Sequence, residues 1–291
     1  MRPHKDDKIL TDWNGLMIAA LARAAQAFDG PAYAQAAQKA ADFILASLRL
    51  HNGRLLHRYR DGEAATAANL DDYAFLVWGL IELFEATFDN GTLQSAITLN
   101  RDLIAHFWDV NGGGGFFFSP DDGEALLLRQ KEFYDGAVPS GNSVAMHNLL
   151  RIARMTADAD CEQKAAQIGR AFASQVTQHP SAATHLLLAL DFAIGPSYEV
   201  VIAGSLKQAE TRKLLQLLRS RFLPNKVVLL RDADQERPAL SRIAPFTEHM
   251  TPVNGKPAAY ICSNFTCAAP TTDAETMLML LAGGTSASAQ P

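Results

Sequence analysis

Ten residues that could bind or act on a sugar stand in three short groups, each ahead of an apolar stretch of the chain. They are Asp12, Trp13 and Asn14; Asp71, Asp72 and Tyr73; and Tyr134, Asp135, Ser140 and Asn142. Carboxylates and amides bind hydroxyl groups, and flat aromatic rings stack on the apolar face of a pyranose. The three groups therefore predict a site for a small molecule or a glycan.

Hydrolysis of a glycoside needs two carboxyl groups on either side of the glycosidic oxygen, about 5 Å apart for retention or 6.5 to 9.5 Å for inversion. Asp71 and Asp72 would occupy successive helical positions about 100° apart, so at most one of them can face the site. We favour Asp72, with Asp135 or Asp12 opposite, as the catalytic pair. The substrate-binding candidates are the other seven: Trp13, Asn14, Asp71, Tyr73, Tyr134, Ser140 and Asn142.

A structural alternative applies to these aspartates and to the "PSGNS" motif at 139–143. Aspartate is a preferred residue at helix starts, where it accepts from free main-chain N–H groups, and that alone accounts for Asp12 and Asp71. "PSGNS" could cradle an anion at a helix start or act as a cap, with Gly141 allowing close packing. We favour the cap, and we interpret Gly112–Gly115, which lacks the residues of a phosphate loop, as a flexible turn.

The histidines test a second chemistry, epimerisation, which needs an acid and a base on opposite faces of one carbon. His147 and His185 lie within apolar helices that could reach the same site, although a packing role is the plainer interpretation. His4 and His57 lie in loops. No HExxH or Cys/His spacing suggests a metal, and we expect no cofactor.

The elements that position these groups follow one plan, repeated four times. The segments "TDWNGLMIAALARAA", "NLDDYAFLVWGLIELFEA", "VPSGNSVAMHNLLRIARM" and "HPSAATHLLLALDFAI" each place polar residues before a nearly all-apolar helix. The first three are followed by a one-sided amphipathic helix, over 33–48, 92–108 and 160–176. Because an apolar helix must be surrounded and a one-sided helix can cover it, these pairs predict a two-layered α/α toroid over residues 1–195.

Two predicted hairpins and a change to alternating strands and helices complete the predicted arrangement. "GRLLHRYRDGEAA" and "GGGGFFFSPDDGEALLLR" are typical of β-hairpins, with Asp-Gly turn signals. After Gly195, strands alternate with a helix in "YEVVIAG", "LKQAETRKLLQLLRSRF", "NKVVLL" and "AAYICSNF", which predicts a small parallel α/β region over 196–282. Residues 283–291 read as a disordered tail.

Composition excludes several classes of function. The chain has 291 residues, 48% of them hydrophobic and 20% charged, and a net charge of -5 without long charged blocks. We therefore expect no nucleic-acid or membrane partner. Three cysteines and no export signal favour a cytoplasmic protein. Cys262 and Cys267 are too far apart in sequence for a CxxC motif, but they follow a strand, where a loop could bring both sulfurs together as a redox pair. In a cytoplasmic chain we expect two buried reduced thiols instead.

Five ordered motifs carry a resemblance that covers nearly the whole chain. "RPHKDDKILTDWNGLMIAAL", "LDDYAFLVWGLIEL", "FYDGAVPSGNSVA", "FLPNKVVLL" and "GKPAAYICSNFTC" resemble the C-terminal part of the spermatogenesis-associated, thioredoxin-domain-containing proteins. The resemblance implies a toroid of the six-hairpin glycosidase type, related in shape to N-acylglucosamine 2-epimerases, after a thioredoxin-like domain.

The chain departs from that family pattern because it begins at "RPHKDDKIL". About three and a half hairpins can be counted, which is too few to close a six-hairpin ring. The expectation is a fragment, or a chain that another N-terminal half or thioredoxin-like domain completes, with apolar inner-helix faces left uncovered. The function predicted is a carbohydrate-active domain of glycosidase or epimerase type; the alternatives are a noncatalytic glycan- or protein-binding module and part of a redox-linked assembly.

Overall fold

The structure is a computed structural model that describes residues 5–235, 239–263 and 266–283. The predicted tail lies outside the described residues, except for Gly283. The helices are α1 Thr11–Ala27, α2 Pro31–Ser47, α3 Leu70–Thr87, α4 Asn90–Phe107, α5 Gly141–Thr156, α6 Ala159–Gln178, α7 Thr184–Ile194, α8 Ala209–Arg219, α9 Leu240–Ile243 and α10 Ala274–Leu281, with 3-10 turns at Pro180–Ala182 and Pro245–Thr247. The strands are β1 Ile9–Leu10, β2 Leu56–Arg60, β3 Glu63–Ala67, β4 Tyr198–Gly204, β5 Lys226–Asp232, β6 Ala258–Ser263 and β7 Thr266–Cys267.

The chain divides into two compact units. The helical unit comprises Met1–Leu149 and Glu162–Ala189, and the mixed unit comprises Leu150–Cys161 and Leu190–Pro291. The longer segment of the mixed unit thus begins a few residues before the boundary predicted at residue 195. No helix among the described residues is long and apolar enough to cross a membrane.

The helical unit contains the predicted inner and outer helices. Inner helix α3 buries fourteen of its residues, whereas the outer helix α2 buries only Ala37, Ala41 and Ile44. This difference is the one that the polar patterns predict, since α2 carries one apolar stripe. Inner helix α1 buries one side and leaves Trp13 and Met17, one turn apart, 64% and 57% exposed.

Two glycines set the crossing of α1 and α3. A Cβ atom built on Gly15 would lie 2.5 Å from the main-chain carbon of Phe75 and 2.6 Å from the main-chain nitrogen of Leu76. A Cβ atom on Gly79 would lie 2.6 Å from the carbonyl oxygen of Gly15. The two backbones are therefore in direct contact, a separation that no larger residue permits.

Of the two predicted hairpins in the helical unit, one forms and one does not. Strands β2 and β3 pair antiparallel around Asp61 and Gly62, both at positive φ, and β1 adds to the same sheet. The second prediction, over 112–129, is wrong: its one ladder contact is an isolated bridge between Trp108 and Phe116. The main chain there bonds to several other segments instead: the N–H of Phe117 donates to the carbonyl of Phe107 at 2.9 Å, and the N–H of Phe116 donates to Asn142 Oδ1 at 2.7 Å.

The mixed unit contains a four-stranded sheet in the order β5-β4-β6-β7. Strands β4 and β5 are parallel and joined through α8, as predicted, but β6 pairs with β4 antiparallel, so the sheet is mixed. The prediction of a parallel layer is wrong on this point because the chain enters β6 from the opposite end of the sheet. Below the sheet, the guanidinium of Arg154 pairs with the buried carboxylate of Glu199 at 3.2 Å.

Cys262 and Cys267 are joined by a disulfide between β6 and β7. The two residues are directly opposite in the antiparallel pair, which brings their Cβ atoms within reach of a bond. The expectation of two reduced thiols is therefore wrong for this pair. It rested on a cytoplasmic location, and the sequence alone does not show that β6 and β7 pair with the two cysteines opposite each other.

Candidate functional site

The start of α3 is the centre of a polar cluster in the helical unit. Asn69 caps the helix by accepting from the N–H groups of Asp71 and Asp72, and Asp72 accepts in return from the N–H of Asn69 at 2.9 Å. This reciprocal pair is a capping box, which explains why the sequence places an asparagine three residues before an aspartate. The two aspartates then diverge, as their successive positions require.

Asp72 is wholly buried and both of its oxygens are occupied. Its Oδ1 accepts from the N–H of Asp12 at 3.1 Å, and the Nδ1 atom of His57 lies 2.9 Å from Oδ1 and 3.0 Å from Oδ2. Burial raises the pKa of this carboxyl, opposed by the hydrogen bond from His57. Asp72 thus connects the starts of α1 and α3 to strand β2, and its geometry suits positioning more than contact with a substrate.

His57 is a member of the cluster that the sequence interpretation assigned to a loop. It lies on β2, 27% exposed at its side chain, and its hydrogen bond to Asp72 raises the pKa of the imidazole. Nε2 makes no hydrogen bond to any residue that the structure describes. Because Asp72 fixes the ring through Nδ1, Nε2 is the atom left to meet a ligand.

Asp71 turns the other way, towards the start of α5. A Cβ atom on Gly141 would lie 2.5 Å from Asp71 Oδ1, so glycine at that position allows the carboxyl to approach the helix start, where the Gly141 N–H bonds it. Burial raises the pKa of Asp71 to about 7, and the charges of Asp72, Glu132 and Asp12 add to the shift. Asp71 therefore exchanges a proton near neutral pH.

The raised pKa of Asp71 predicts a pH-dependent effect of Asp71→Asn. An unfolded aspartate ionises near pH 4, so native stability falls as the pH rises from about 4 to about 7 and the buried carboxyl is forced to ionise. The variant should be more stable than wild type by about 1–3 kcal/mol above pH 7.5, and this advantage should shrink by more than half at pH 5, because most of the interval between the two pKa values lies above that pH. Thermal unfolding at both pH values measures this, with the exposed Asp42→Asn as control. A stability difference that is the same at both pH values would contradict the assignment.

Asp135, the third predicted catalytic residue, caps two helix starts at once. Its Oδ1 accepts from the N–H of Ser140 at 2.8 Å, and its Oδ2 accepts from the N–H groups of His185 at 2.7 Å and Leu186 at 3.2 Å. Both oxygens therefore have main-chain partners, which is the structural role that the sequence left open for aspartates in this position.

The predicted substrate-binding residues separate into exposed and buried sets. Trp13 and Tyr134 are 64% and 66% exposed and can meet a ligand; Asn14 is half-buried and donates to the carbonyl of Leu10. Three others are buried and bonded to protein groups, which favours a structural role over contact with a substrate. They are Tyr73, which bonds Asp102 and the N–H of Leu55; Ser140, which bonds Ser143; and Asn142, which bonds Phe116 and the carbonyl of Glu132.

His147 and His185, the two histidines considered for epimerisation, lie close together. Their ring centroids are 5.6 Å apart, and the ring of Trp78 lies 5.1 Å from that of His185. Burial lowers the pKa of His185, so its imidazole is neutral at pH 7. The pair thus offers aromatic surface beside the start of α7, in addition to the carboxyl cluster.

Two groups of three side chains could hold a metal ion among the described residues. Donor atoms of Asp12, His57 and Asp72 lie within 4.8 Å of one another, and so do those of His106, Asp121 and Asp122. In the first group, Nδ1 of His57 is already hydrogen-bonded to Asp72, and in the second Arg54 pairs with Asp122 at 3.0 Å. Part of each donor set is therefore already engaged by a protein partner.

Sequence reasoning missed two members of the cluster, His57 and Glu132. A usable signal for His57 was its place in "LLHRYR", the first strand of the predicted hairpin that precedes the "NLDD" helix start. Glu132 gave no such signal, since it lies in an irregular segment and reaches Asp71 only through the folded chain.

No family model matches the chain. The chain is 33% identical over 281 residues to human spermatogenesis-associated protein 20, covering 94% of this chain and 36% of that protein. It is 31% identical over 278 residues to an uncharacterized protein of Caenorhabditis elegans, covering 92% of this chain and 37% of that one. The chain thus spans little more than a third of the length of these relatives.

Solved structures with a similar fold are carbohydrate-active enzymes. The GH76 α-mannanase of Bacteroides thetaiotaomicron matches 76% of this chain and 58% of its own, with a TM-score of 0.52 and 15% identity. A cellobiose 2-epimerase of Bacillus thermoamylovorans matches 59% of this chain and 46% of its own, with a TM-score of 0.49 and 16% identity. The mannanase match identifies the fold as a glycosidase-like α/α toroid type with a small sheet region, which confirms the predicted fold class.

Proposed function

We propose that the helical unit carries a carbohydrate-active site at the starts of α1, α3 and α5, with Asp71 as the proton-transferring group. The observation that carries this proposal is the position of the Asp71 carboxyl. It is mostly buried against Gly141, surrounded by the carboxylates of Asp12, Asp72 and Glu132, and still open enough to be reached from the helix starts.

The chemistry follows from environments that differ between the carboxyl groups. A carboxyl with a pKa near 7 holds its proton at neutral pH and can give it to a glycosidic or ring oxygen. Among the described residues, the Asp12 carboxylate accepts from the N–H of Trp13 at 2.7 Å, and it lies at the neighbouring helix start, so we assign it as the second carboxyl, acting as base or nucleophile. This assignment replaces Asp72 by Asp71 as the acid and keeps Asp12 opposite.

His57 and Asp72 complete the site in supporting roles. Asp72 fixes the orientation of the His57 ring, and Nε2 is then placed to bond a sugar hydroxyl. The exposed rings of Trp13 and Tyr134 supply stacking surface next to the polar groups. A polar floor beside open aromatic surface is the usual composition of a sugar site.

Turnover by wild type and by Asp71→Asn tests the proposal. Wild type should convert one sugar of a panel of disaccharides, amino sugars and nucleotide sugars, followed by product chromatography. Because a general acid contributes about 10²–10⁴ to the rate, Asp71→Asn should lose at least about 100-fold in kcat while the same sugar still raises Tm. Asp42→Asn, an exposed aspartate on α2, is the matched control.

Two outcomes would contradict the proposal in different ways. A sugar that raises Tm but is not converted by wild type would indicate a noncatalytic glycan-binding module. Full turnover by Asp71→Asn would leave a carbohydrate enzyme whose acid lies elsewhere, with Asp12 or the His147–His185 pair as the next candidates.

A further inference from the structure

The four-glycine run forms one wall of a cavity that the proposed sugar site does not use. The cavity lies in the helical unit, has a volume of about 540 Å³, and is lined by Gly112, Gly113, Lys131, Arg170, Ala171, Phe172 and Gln175. This volume is within the range of about 300–1,000 Å³ that holds small ligands.

Glycine is required where the wall forms. Gly113, Gly114 and Gly115 have φ values of 89°, 101° and 83°, which side chains rarely adopt. A Cβ atom on Gly114 would come within 2.9 Å of Gln167 on α6, whereas one on Gly113 would meet nothing within 4 Å. The loop therefore lies tightly against α6 at one residue and leaves an open face at the next.

The polar side chains that line the cavity have more hydrogen-bond donors than the described part of the protein supplies acceptors for. Arg170 makes no ion pair or side-chain hydrogen bond with any described residue, so its five N–H groups are all available. The ammonium of Lys131 pairs with Asp109 and donates to the carbonyl of Gly114 at 2.9 Å, which leaves one of its three N–H groups. Gln175 adds a side-chain amide at the edge.

The charge balance of the cavity is positive. Two of the seven lining residues are cationic and none is acidic, and the nearby carboxylate of Asp109 offsets one of the two charges through its pair with Lys131. A net charge near +1, presented by a forked guanidinium and an ammonium, matches a carboxylate or a phosphate. Phe172 is buried and its ring stacks on that of Phe133 with the centroids 5.9 Å apart, which supports the wall from within.

We propose that this cavity binds a small organic oxyanion, with the carboxylate or phosphate held by Arg170 and Lys131. The cavity is larger than an inorganic ion, so inorganic phosphate and benzoate serve as probes of the head group. The two head groups share one chemistry here, and the measurement below distinguishes them.

Isothermal titration of the purified chain with inorganic phosphate and with benzoate, at matched ionic strength, tests the proposal. One of the two anions should bind with a stoichiometry of one, and Arg170→Gln should weaken it by at least about tenfold, the loss expected for a charge-assisted contact. Arg101→Gln, which removes an exposed arginine of α4 outside the cavity, should leave binding unchanged. Tighter phosphate binding indicates a phosphorylated ligand, and tighter benzoate binding a carboxylate with an apolar body.

Three results would overturn the proposal: no heat of binding with either anion, binding that Arg170→Gln leaves unchanged, and equal weakening by Arg101→Gln. Arg170 is exposed and unpaired, so its substitution should not alter folding, which circular dichroism checks. The measurement does not depend on sugar turnover, so a failure here leaves the proposed function unaffected.

Discussion

Replacing Gly15 by alanine is expected to destabilise the helical unit more than any other single methyl group added to its glycines. The new Cβ atom would lie 2.5 Å from the main-chain carbon of Phe75, and main chain cannot rotate away as a side chain can. The helices would have to separate, which opens the contacts of Ile18 and Leu76 in the core. We expect a loss of about 3 kcal/mol or more, or ~6–12 °C in Tm.

Gly91→Ala is the matched control for this prediction. It adds the same methyl group in the first turn of α4, where the nearest atom is a carboxylate oxygen of Asp89 at 3.3 Å. Thermal unfolding should show a small change for Gly91→Ala and a large drop for Gly15→Ala. Equal Tm values for the two variants would mean that α1 and α3 are further apart than described here.

Substituting Asp72 by asparagine should lower the free energy of unfolding nearly as much as Gly15→Ala does, for an electrostatic reason. One oxygen of Asp72 faces the N–H of Asp12 and the other faces the N–H of Asn69. Whichever way the asparagine amide is turned, its NH₂ group meets a main-chain donor, and one buried N–H loses its acceptor. With the loss of the His57 pair, we expect about 3 kcal/mol of destabilisation.

Asp71→Asn is the matched control for this variant, since it makes the same change one residue earlier and is expected to stabilise the protein above pH 7.5. A second readout separates loss of the pair from general unfolding. Because the hydrogen bond to Asp72 raises the pKa of His57, that pKa should fall in Asp72→Asn, as measured by NMR titration of the imidazole. An unchanged His57 pKa with unchanged Tm would show that Asp72 does not hold this cluster together.

The helices could be predicted from sequence because their signals are local. Inner and outer helices differ in the number of apolar faces, and the capping box at Asn69 and Asp72 lies within four residues. The sheet of the mixed unit shows the limit of such signals. Strand β6 reads as a strand from its own residues, but its direction depends on where the intervening chain enters, which no pattern within the strand records.

The sequence indicated which residues lie at the candidate site, but it did not indicate which role each of them has. Asp71 and Asp72 are adjacent and identical, and the difference between them comes from partners far along the chain: Gly141 for one, His57 and Asp12 for the other. Tyr73 shows the same limit, because the ring turns towards Asp102 on α4 and is lost to the site. Long-range partners decide which way a side chain at a helix start points.

If α1 and α3 rock against each other, the close backbone contact at Gly15 is the natural centre of rotation, and its position decides which end of α1 moves more. Asp12 lies three residues from the crossing, a lever arm of about 4.5 Å, whereas Ala27 lies twelve residues away, about 18 Å. A rocking of about 5° would displace the start of α1 by about 0.4 Å and its end by about 1.6 Å. The crossing lies beside the carboxyl cluster, so such a rotation would displace the C-terminal end of α1 more than the carboxyl cluster at its start.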